Sequence, residues 1–312
     1  MKQRNLGTSG LLVSTIGLGC NNFGGRLDLE GTRAVIHAAL DHGITLFDTA
    51  DVYGNQGGSE TLMGQVLGDR RKDIVLATKF GLPMDGEDGR LKGGSRRYIM
   101  SAVEASLKRL RTDWIDLYQY HKPDPLAPTE ETLRALDDLV KQGKVRYIGS
   151  SNLPGWQVVE AQWTSKHLGL NSFVSCQDEY SLLVRKAEQD VAPVAARYGM
   201  GLLPYFPLAS GMLTGKYRRG TPPPAGTRMA GTDRYARYQT EDSFAVVEKL
   251  DAYAQARGRT LVELAFSWLL AKAPVSSVIA GATKPEQIAQ NVKAGDRALT
   301  EAEIREIEAI TG

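Results

Sequence analysis

Four polar side chains follow three short apolar segments of this chain, namely Asp48, Tyr53, Lys79 and His121. Together they suit carbonyl reduction, because hydride addition to a carbonyl leaves an alkoxide that must take up a proton. Tyrosine alone is a poor acid, with a pKa of about 10, but a nearby lysine ammonium favours the phenolate and lowers that pKa. Lys79 can supply this charge while Asp48 holds it, and His121 can orient the substrate oxygen. The set predicts proton donation by Tyr53 without a metal ion.

Each of these residues, taken alone, also has an ordinary structural explanation. Asp48 can be a helix cap or turn residue, and Tyr53 can be a half-buried aromatic. Lys79 can be solvated, and His121 can belong to a turn. Unrelated turn residues would have no reason to include Asp, Tyr, Lys and His at the ends of successive strands. The recurrence of such residues at strand ends therefore favours one common site.

The elements that must position this set are short apolar runs that alternate with amphipathic segments. The first 15 residues predict a capping hairpin with its turn at residues 7–10. The apolar runs predict eight strands, at residues 15–19, 44–47, 74–77, 115–119, 145–148, 173–176, 201–205 and 277–280. The amphipathic segments predict helices at residues 29–42, 59–67, 97–110, 129–142, 154–168, 186–198, 243–257, 261–272, 285–294 and 300–310.

Eight strands separated by helices predict an α/β fold with a parallel sheet, and eight is the number that closes into a (β/α)8 TIM barrel. An open doubly wound sheet is the alternative, but no G-x-G-x-x-G turn follows the first strand. We expect a single domain over residues 1–312, with an N-terminal hairpin and extra helices in the C-terminal part. Function in such a barrel lies at the C-terminal strand ends, where the four residues stand.

The composition of the chain limits the classes of partner that it can bind. The formal net charge of +2 is too small to favour nucleic acid or an anionic membrane surface. The two cysteines are far apart and match no metal spacing, so we expect a reducing compartment. The sequence shows neither a signal peptide nor a long apolar run. We therefore expect a cytoplasmic protein without a membrane span or metal, and the sequence leaves its oligomeric state open.

Several motifs along the chain, in order, resemble the aldo-keto reductase family. They lie at residues 46–54 (LFDTADVYG), 77–80 (ATKF), 116–121 (DLYQYH), 148–152 (IGSSN), 177–181 (QDEYS), 205–211 (YFPLASG), 214–217 (TGKY) and 279–283 (IAGAT). The resemblance implies the same four catalytic residues that the chemistry suggests. It also implies a nicotinamide dinucleotide extended across the rim of the barrel, meaning the end formed by the C-terminal strand ends.

The resemblance assigns cofactor contacts to many rim residues. Ser151, Asn152 and Gln177 would hold the carboxamide, and Tyr205 would stack on the nicotinamide. The loop at residues 207–216 would cover the pyrophosphate, and Thr283, Gln287 and Asn291 would hold the adenosine end. The complete predicted cofactor set is Gly19, Asn21, Asp48, Ser151, Asn152, Gln177, Tyr205, Phe206, Pro207, Leu208, Ala209, Ser210, Gly211, Lys216, Arg228, Gly281, Thr283, Gln287 and Asn291.

The segment from Gly281 to Asn291 is similar to the bacterial and potassium-channel β-subunit branch of that family. The aldose reductase branch carries a lysine and an arginine where this chain has Gly281 and Gln287. Lys284 and Arg228 can compensate, because a 2′-phosphate needs Arg or Lys. We expect NADPH to be favoured, with NADH as the alternative.

The substrate pocket is expected to be lined by Asn22, Phe23, Tyr53, Phe80 and His121. Phe23 and Phe80 can instead be plain core. The loops at residues 81–97 and 211–240 can act as lids or can be ordinary surface loops.

Two functions from different classes remain open. The first is NADPH-dependent reduction of aldehydes or ketones to alcohols, or the reverse reaction. The second is an NADP(H)-sensing regulatory subunit with little turnover. The chain begins directly at the barrel, with no N-terminal extension that could bind a channel, and this favours the enzyme. A non-redox barrel lyase or isomerase would leave the nicotinamide-holding residues unexplained. The sequence does not identify the carbonyl substrate.

Overall fold

The computed structural model describes residues 1–86 and 89–312. Its strands are β1 (Gln3–Asn5), β2 (Leu12–Ser14), β3 (Ile16–Gly19), β4 (Leu46–Asp48), β5 (Val75–Phe80), β6 (Ile115–Tyr120), β7 (Val145–Ser151), β8 (Ser175–Glu179), β9 (Gly201–Tyr205) and β10 (Val278–Gly281). Its α-helices are α1 (Leu29–Asp41), α2 (Tyr53–Leu67), α3 (Arg96–Leu110), α4 (Thr129–Lys141), α5 (Gly155–Leu168), α6 (Val191–Tyr198), α7 (Glu241–Gln255), α8 (Leu261–Ala271), α9 (Pro285–Ala294) and α10 (Glu301–Thr311).

Strands β3 to β10 form one parallel sheet in the order β10-β3-β4-β5-β6-β7-β8-β9. The two edge strands approach each other through a parallel bridge between Leu202 and Val275. The N–H of Leu202 donates to the Pro274 carbonyl at 2.6 Å, and the N–H of Ser276 donates to the Leu202 carbonyl at 3.0 Å. The sheet is therefore a nearly closed barrel surrounded by helices, and the predicted (β/α)8 fold is confirmed.

The hairpin of β1 and β2 covers one end of the barrel. Its strands pair antiparallel, and its turn packs so closely that a Cβ on Gly7 would lie 2.3 Å from the Gly199 carbonyl oxygen. Gly7 has a φ of +59°, which only glycine adopts without penalty. Apolar residues of the hairpin and the strands form a separate cluster here, made of Leu6, Val13, Leu46, Ala77, Leu117, Leu203 and Ile279. The functional residues are thus left to the opposite end.

Three strands continue three residues further than their apolar runs predict. Strand β5 extends through Lys79 to Phe80, β7 extends to Ser151, and β8 extends to Glu179. Polar side chains near the rim point into the barrel without interrupting the ladder, because strand hydrogen bonds use only the backbone. Hydrophobicity alone therefore ended these strands too early.

Two helices also differ from their predicted form. Helix α2 begins at Tyr53, but residues 54–57 have φ values of 68°, 59°, 64° and 111°, so its regular part is the helix predicted from Ser59. The predicted helix at residues 186–198 is divided into a 3-10 turn, Lys186–Gln189, and α6. Pro193 lies in the first turn of α6, where the absence of its N–H breaks no helical hydrogen bond.

Candidate active site

Asp48 and Lys79 form a buried ion pair at the rim. Asp48 ends β4 and Lys79 lies on the neighbouring strand β5, and their side chains are 4% and 0% exposed. The Lys79 ammonium donates to Asp48 Oδ2 at 2.6 Å and to the Thr49 carbonyl at 2.9 Å. Burial opposes the lysine charge, but Asp48 and then Tyr53 outweigh it and raise the pKa of Lys79. Lys79 is therefore a fixed cation at neutral pH.

The second oxygen of Asp48 is held by two glutamines. Gln119 and Gln177 donate their amide groups to Asp48 Oδ1 at 3.0 and 2.9 Å. Gln177 also donates to the Gln119 amide oxygen at 3.2 Å. Gln119 was missed in the sequence, although it stands two residues before His121, and period-two alternation places the two on the same side of β6. These amides satisfy a carboxylate that would otherwise be costly to bury.

Tyr53 lies beside this pair. Its ring centroid is 5.0 Å from the Lys79 ammonium and 5.7 Å from the His121 ring, which it meets edge-on at 84°. Desolvation raises the pKa of Tyr53, and this effect outweighs the attraction of Lys79, which lowers it. The predicted lowering effect of Lys79 is present, but burial is the larger effect, because the surrounding protein removes the water that would stabilise a phenolate. Tyr53 keeps its proton at neutral pH.

His121 follows β6 and is 7% exposed. Its backbone N–H donates to the Phe80 carbonyl at 2.9 Å, which continues the strand pairing to the rim. Burial, and then the charge of Lys79, hold its pKa well below the ordinary value, so the ring is neutral. Its Nδ1 atom has no hydrogen-bond partner among the described residues. The four residues predicted for catalysis thus lie together, and they combine one acid, one cation, one carboxylate and one neutral imidazole.

The ends of β7, β8 and β9 form a connected polar group next to this set. The Ser151 hydroxyl donates to the Gln177 carbonyl at 2.9 Å. Asn152 adopts the left-handed region with φ 58°, and its amide donates to the His121 carbonyl at 3.0 Å. The Tyr205 hydroxyl donates to Asn152 Oδ1 at 2.7 Å. The predicted carboxamide and stacking residues are therefore neighbours of the catalytic set.

The loop after β9 has an unusual backbone. Phe206, Ala209 and Ser210 have φ values of 52°, 44° and 57°, a conformation that is costly for residues with a Cβ and is often found at functional sites. The Ser210 hydroxyl oxygen is buried without a hydrogen-bond partner in the described residues. A Cβ on Gly211 would lie 3.1 Å from Lys216 Cε, so Lys216 packs against this turn. An unpartnered hydroxyl, strained backbone and a lysine suit a phosphate.

The ends of β3 and β10 meet near the same loop. Gly19 and Gly281 are paired in the sheet, and a Cβ on Gly281 would contact the side chains of Asn21 and Asn22 at 3.4 and 3.3 Å. The Asn22 amide donates to the Ala282 carbonyl at 3.2 Å. These contacts bring the predicted residues of the first and last strands together.

Arg228 connects the long loop to this corner. Its guanidinium donates to Asn22 Oδ1 at 3.4 Å and lies 5.6 Å from the centroid of the Phe206 ring. At the start of α9, Thr283 donates its backbone N–H to Gln287 Oε1 at 2.7 Å. Asn291, on the same helix, is 7% exposed. The predicted adenosine-end residues therefore extend from the rim to the first turns of α9.

Phe23 and Phe80 are both fully buried among core residues. Phe80 packs on Tyr118 at 4.7 Å and on Tyr120 at 5.3 Å between ring centroids. Phe23 and Phe80 are therefore core residues, which is the alternative that the sequence left open for them. Asn22, which was assigned to the pocket with them, is also buried and contacts Arg228.

The fold and the site define a (β/α)8-barrel protein whose rim carries Asp48, Tyr53, Lys79 and His121 as one cluster. The sequence profile of the Aldo/keto reductase family matches residues 15–311. The chain belongs to this family, which supports an oxidoreductase that uses a nicotinamide cofactor.

The chain is similar to proteins of two kinds. It is 39% identical over 305 residues to a probable voltage-gated potassium channel subunit beta from Arabidopsis thaliana, covering 95% of this chain and 92% of the relative. A protein of the same description from Oryza sativa subsp. japonica is 39% identical over 321 residues, covering 99% and 96%. The uncharacterized oxidoreductase YrpG of Bacillus subtilis (strain 168) is 37% identical over 315 residues, covering 98% and 94%.

Within residues 1–86 and 89–312, no helix has the length and apolar character needed to cross a membrane. In the same residues, no group of three or more His, Cys, Asp or Glu side chains is arranged to hold a metal ion.

Proposed function

We propose that this protein reduces aldehydes or ketones to alcohols with NADPH, and that Tyr53 donates the proton. The observation that carries the proposal is the position of Tyr53, whose ring lies 5.0 Å from the buried Lys79 ammonium and meets His121 edge-on. Burial there favours a protonated Tyr53 and a neutral His121, and Asp48 favours a charged Lys79. These are the states that proton donation to a carbonyl oxygen requires. Family membership gives independent support for the reaction class.

The reaction is balanced by one hydride and one proton. Reduced nicotinamide, when bound, supplies the hydride to the carbonyl carbon. Tyr53 gives its hydroxyl proton to the carbonyl oxygen as negative charge develops there, and the new phenolate is stabilised by the Lys79 ammonium. Neutral His121 orients that oxygen by a hydrogen bond. Tyr53 recovers its proton from solvent before the next turnover.

The residues that would hold the cofactor fit a dinucleotide. The strained turn at Phe206 to Ser210, with its unpartnered hydroxyl and nearby Lys216, suits the pyrophosphate. Ser151, Asn152, Gln177 and Tyr205 would hold the nicotinamide end. Gly19, Asn21, Gly281, Thr283, Gln287 and Asn291 would contact the rest.

The preference for NADPH over NADH is expected to depend on Arg228 and Lys284. Lys284 is exposed directly before the first turn of α9, where helix N–H groups favour an anion. Arg228→Ala and Lys284→Ala should each weaken NADPH binding about 10- to 100-fold, the usual value of a charged hydrogen bond, with little effect on NADH. Fluorescence titration with both cofactors measures this.

Lys293→Ala is the matched control for Lys284, because it removes the same charge from the exposed far end of α9. It should leave the affinity for both cofactors unchanged. Equal loss of NADPH and NADH affinity in the Arg228 or Lys284 variant would contradict a role in 2′-phosphate binding.

A regulatory subunit that binds NADP(H) with little turnover is the second candidate. It is favoured by the two plant relatives described as probable voltage-gated potassium channel subunits beta. Initial rates with a panel of aldehydes and ketones, with NADPH and with NADH, separate the two functions. Steady turnover on a small aldehyde supports the reductase. Tight NADPH binding without turnover across the panel would reject it and favour the sensor.

A further inference from the structure

A second buried layer lies behind the catalytic residues, between the barrel and helices α2 and α3. The residues next to Asp48 and Lys79 in sequence point into it. Thr49 and Ser59 share a hydrogen bond between their hydroxyls at 2.8 Å, and the Thr78 hydroxyl donates to Glu60 Oε1 at 2.6 Å. The segment from Thr49 to Glu60, called the Tyr53 segment below, is therefore attached on its outer side to this layer.

Asp51 lies in this layer, two residues before Tyr53. It is 1% exposed, and its Oδ2 accepts a hydrogen bond from the Tyr98 hydroxyl at 3.1 Å. Its backbone N–H donates to the Lys79 carbonyl at 3.1 Å, and the N–H of Tyr53 donates to the Ala50 carbonyl at 3.1 Å. The Asp51 residue thus connects α3, strand β5 and the Tyr53 segment.

The charges in this layer do not balance if the carboxyl groups of Asp51 and Glu60 are both ionised. Glu60 is fully buried, and Arg109 binds it with Nε 2.7 Å from Oε2. Asp51 has no ion pair among the described residues, and its Oδ1 has no hydrogen-bond partner there. A second carboxylate in this dry layer would be both desolvated and repelled by the first. A proton on Asp51 relieves both effects.

Groups of α2 and α3 act on the charge of Asp51, and neighbouring groups are coupled to them. Burial first, and then Glu60, raise the pKa of Asp51 to about 7, although the Tyr98 hydrogen bond and Arg109 lower it. Burial, with Asp51 and Glu60, also raises the pKa of Tyr118 well above its ordinary value. The groups involved are Glu60 of α2, Tyr98 and Arg109 of α3, Tyr118 of β6, and Asp85 after β5, which acts on Tyr98.

We propose that Asp51 is a positioning residue for Tyr53, and that it holds the Tyr53 segment in place in its protonated form, hydrogen-bonded to Tyr98. The proposal rests on the proposed function of Tyr53 as proton donor. Ionised Asp51 is a buried charge without a counter-ion, and it is relieved when the segment moves towards water. Such a movement displaces the Tyr53 hydroxyl, and a misplacement of about 1 Å can lower a rate about 100-fold.

The pH profile of turnover tests this role. We expect the kcat for carbonyl reduction, at saturating NADPH, to fall about tenfold or more as pH rises above about 7. Asp51→Asn mimics the protonated form, so its kcat should lack this decline. Asp113→Asn, the same change at an exposed site before β6, should keep the wild-type profile. A wild-type profile that is flat from about pH 6 to about pH 9, or a decline that persists in Asp51→Asn, would overturn the proposal.

Two neighbouring variants should move this decline in opposite directions. Glu60→Gln removes the repelling carboxylate and lowers the pKa of Asp51, so the decline moves to lower pH. Tyr98→Phe removes a hydrogen bond that favours the Asp51 carboxylate, so the decline moves to higher pH. A merely structural role would reduce activity without such opposite shifts. Shifts of the same sign would contradict the proposal.

Stability measurements separate this proposal from the proposed function, because they need no turnover. Native Asp51 keeps its proton up to about pH 7, whereas the unfolded chain loses it near pH 4. The native state therefore binds more protons between these values, and stability falls as pH rises. Asp51→Asn should gain in Tm relative to wild type at about pH 8 but not at about pH 4. A Tm difference independent of pH rejects protonated Asp51, whereas absent wild-type turnover rejects only the proposed function.

Discussion

Tyr53→Phe is expected to lower kcat for carbonyl reduction about 10²- to 10⁴-fold, the usual contribution of a positioned general acid. The substitution removes only the hydroxyl, which is protonated because desolvation raises its pKa. The ring remains, together with its edge-on packing against His121. NADPH binding should therefore be nearly unchanged. Steady-state rates on a small aldehyde measure the first effect, and titration of tryptophan fluorescence measures the second.

Tyr253→Phe is the matched control. It removes a tyrosine hydroxyl on α7 that donates to Glu306 at 2.8 Å, far from the rim. Its turnover should equal that of the wild type. If Tyr53→Phe instead keeps most of the wild-type turnover, another group donates the proton and the mechanism is wrong.

Lys79→Met is expected to lose both turnover and about 3–5 kcal/mol of stability, as when one partner of a buried ion pair is removed. It leaves the Asp48 carboxylate buried with only the amides of Gln119 and Gln177. It also removes the cation that stabilises the Tyr53 phenolate. Urea unfolding at neutral pH measures the loss of stability, and initial rates measure the loss of kcat.

The double variant Asp48→Asn with Lys79→Met separates the two losses. It removes both charges, so it should recover much of the stability, because uncharged partners leave no buried ion without a counter-ion. Turnover should stay low, since no cation remains beside Tyr53. Arg134→Met breaks the half-exposed pair with Glu130 and should change stability by less than about 1 kcal/mol. A Lys79→Met variant as stable as Arg134→Met would contradict the importance of the buried pair.

The barrel could be predicted from local sequence patterns. Apolar runs of strand length, amphipathic segments and helix-ending glycines such as Gly43, Gly169 and Gly199, all with positive φ, are properties of neighbouring residues. They require no knowledge of the tertiary structure. The four rim residues could be predicted for the same reason, because parallel strands place their C-terminal ends at one side of the sheet.

The ends of β5 and β7 could not be predicted in this way. Lys79 and Ser151 are polar but lie inside strands, because the barrel interior near the rim is itself polar. A hydrophobicity pattern ends a strand where the side chains become polar, whereas the backbone ladder continues. The role of Gln119 could not be predicted either, because it depends on a hydrogen bond to Asp48, 71 residues away in sequence.

The sequence by itself determined the fold class, the rim set and the sign of each formal charge. Only the tertiary structure decided the pKa that each of those groups has in the folded protein. The lowering effect of Lys79 on the pKa of Tyr53 is outweighed by desolvation, because desolvation sums over all the protein that surrounds the ring. Asp51 and Glu60 share one layer with Arg109 only because α2 and α3 pack together behind the strands. Charge can be counted along a chain, but the water that each charge loses depends on the folded surroundings.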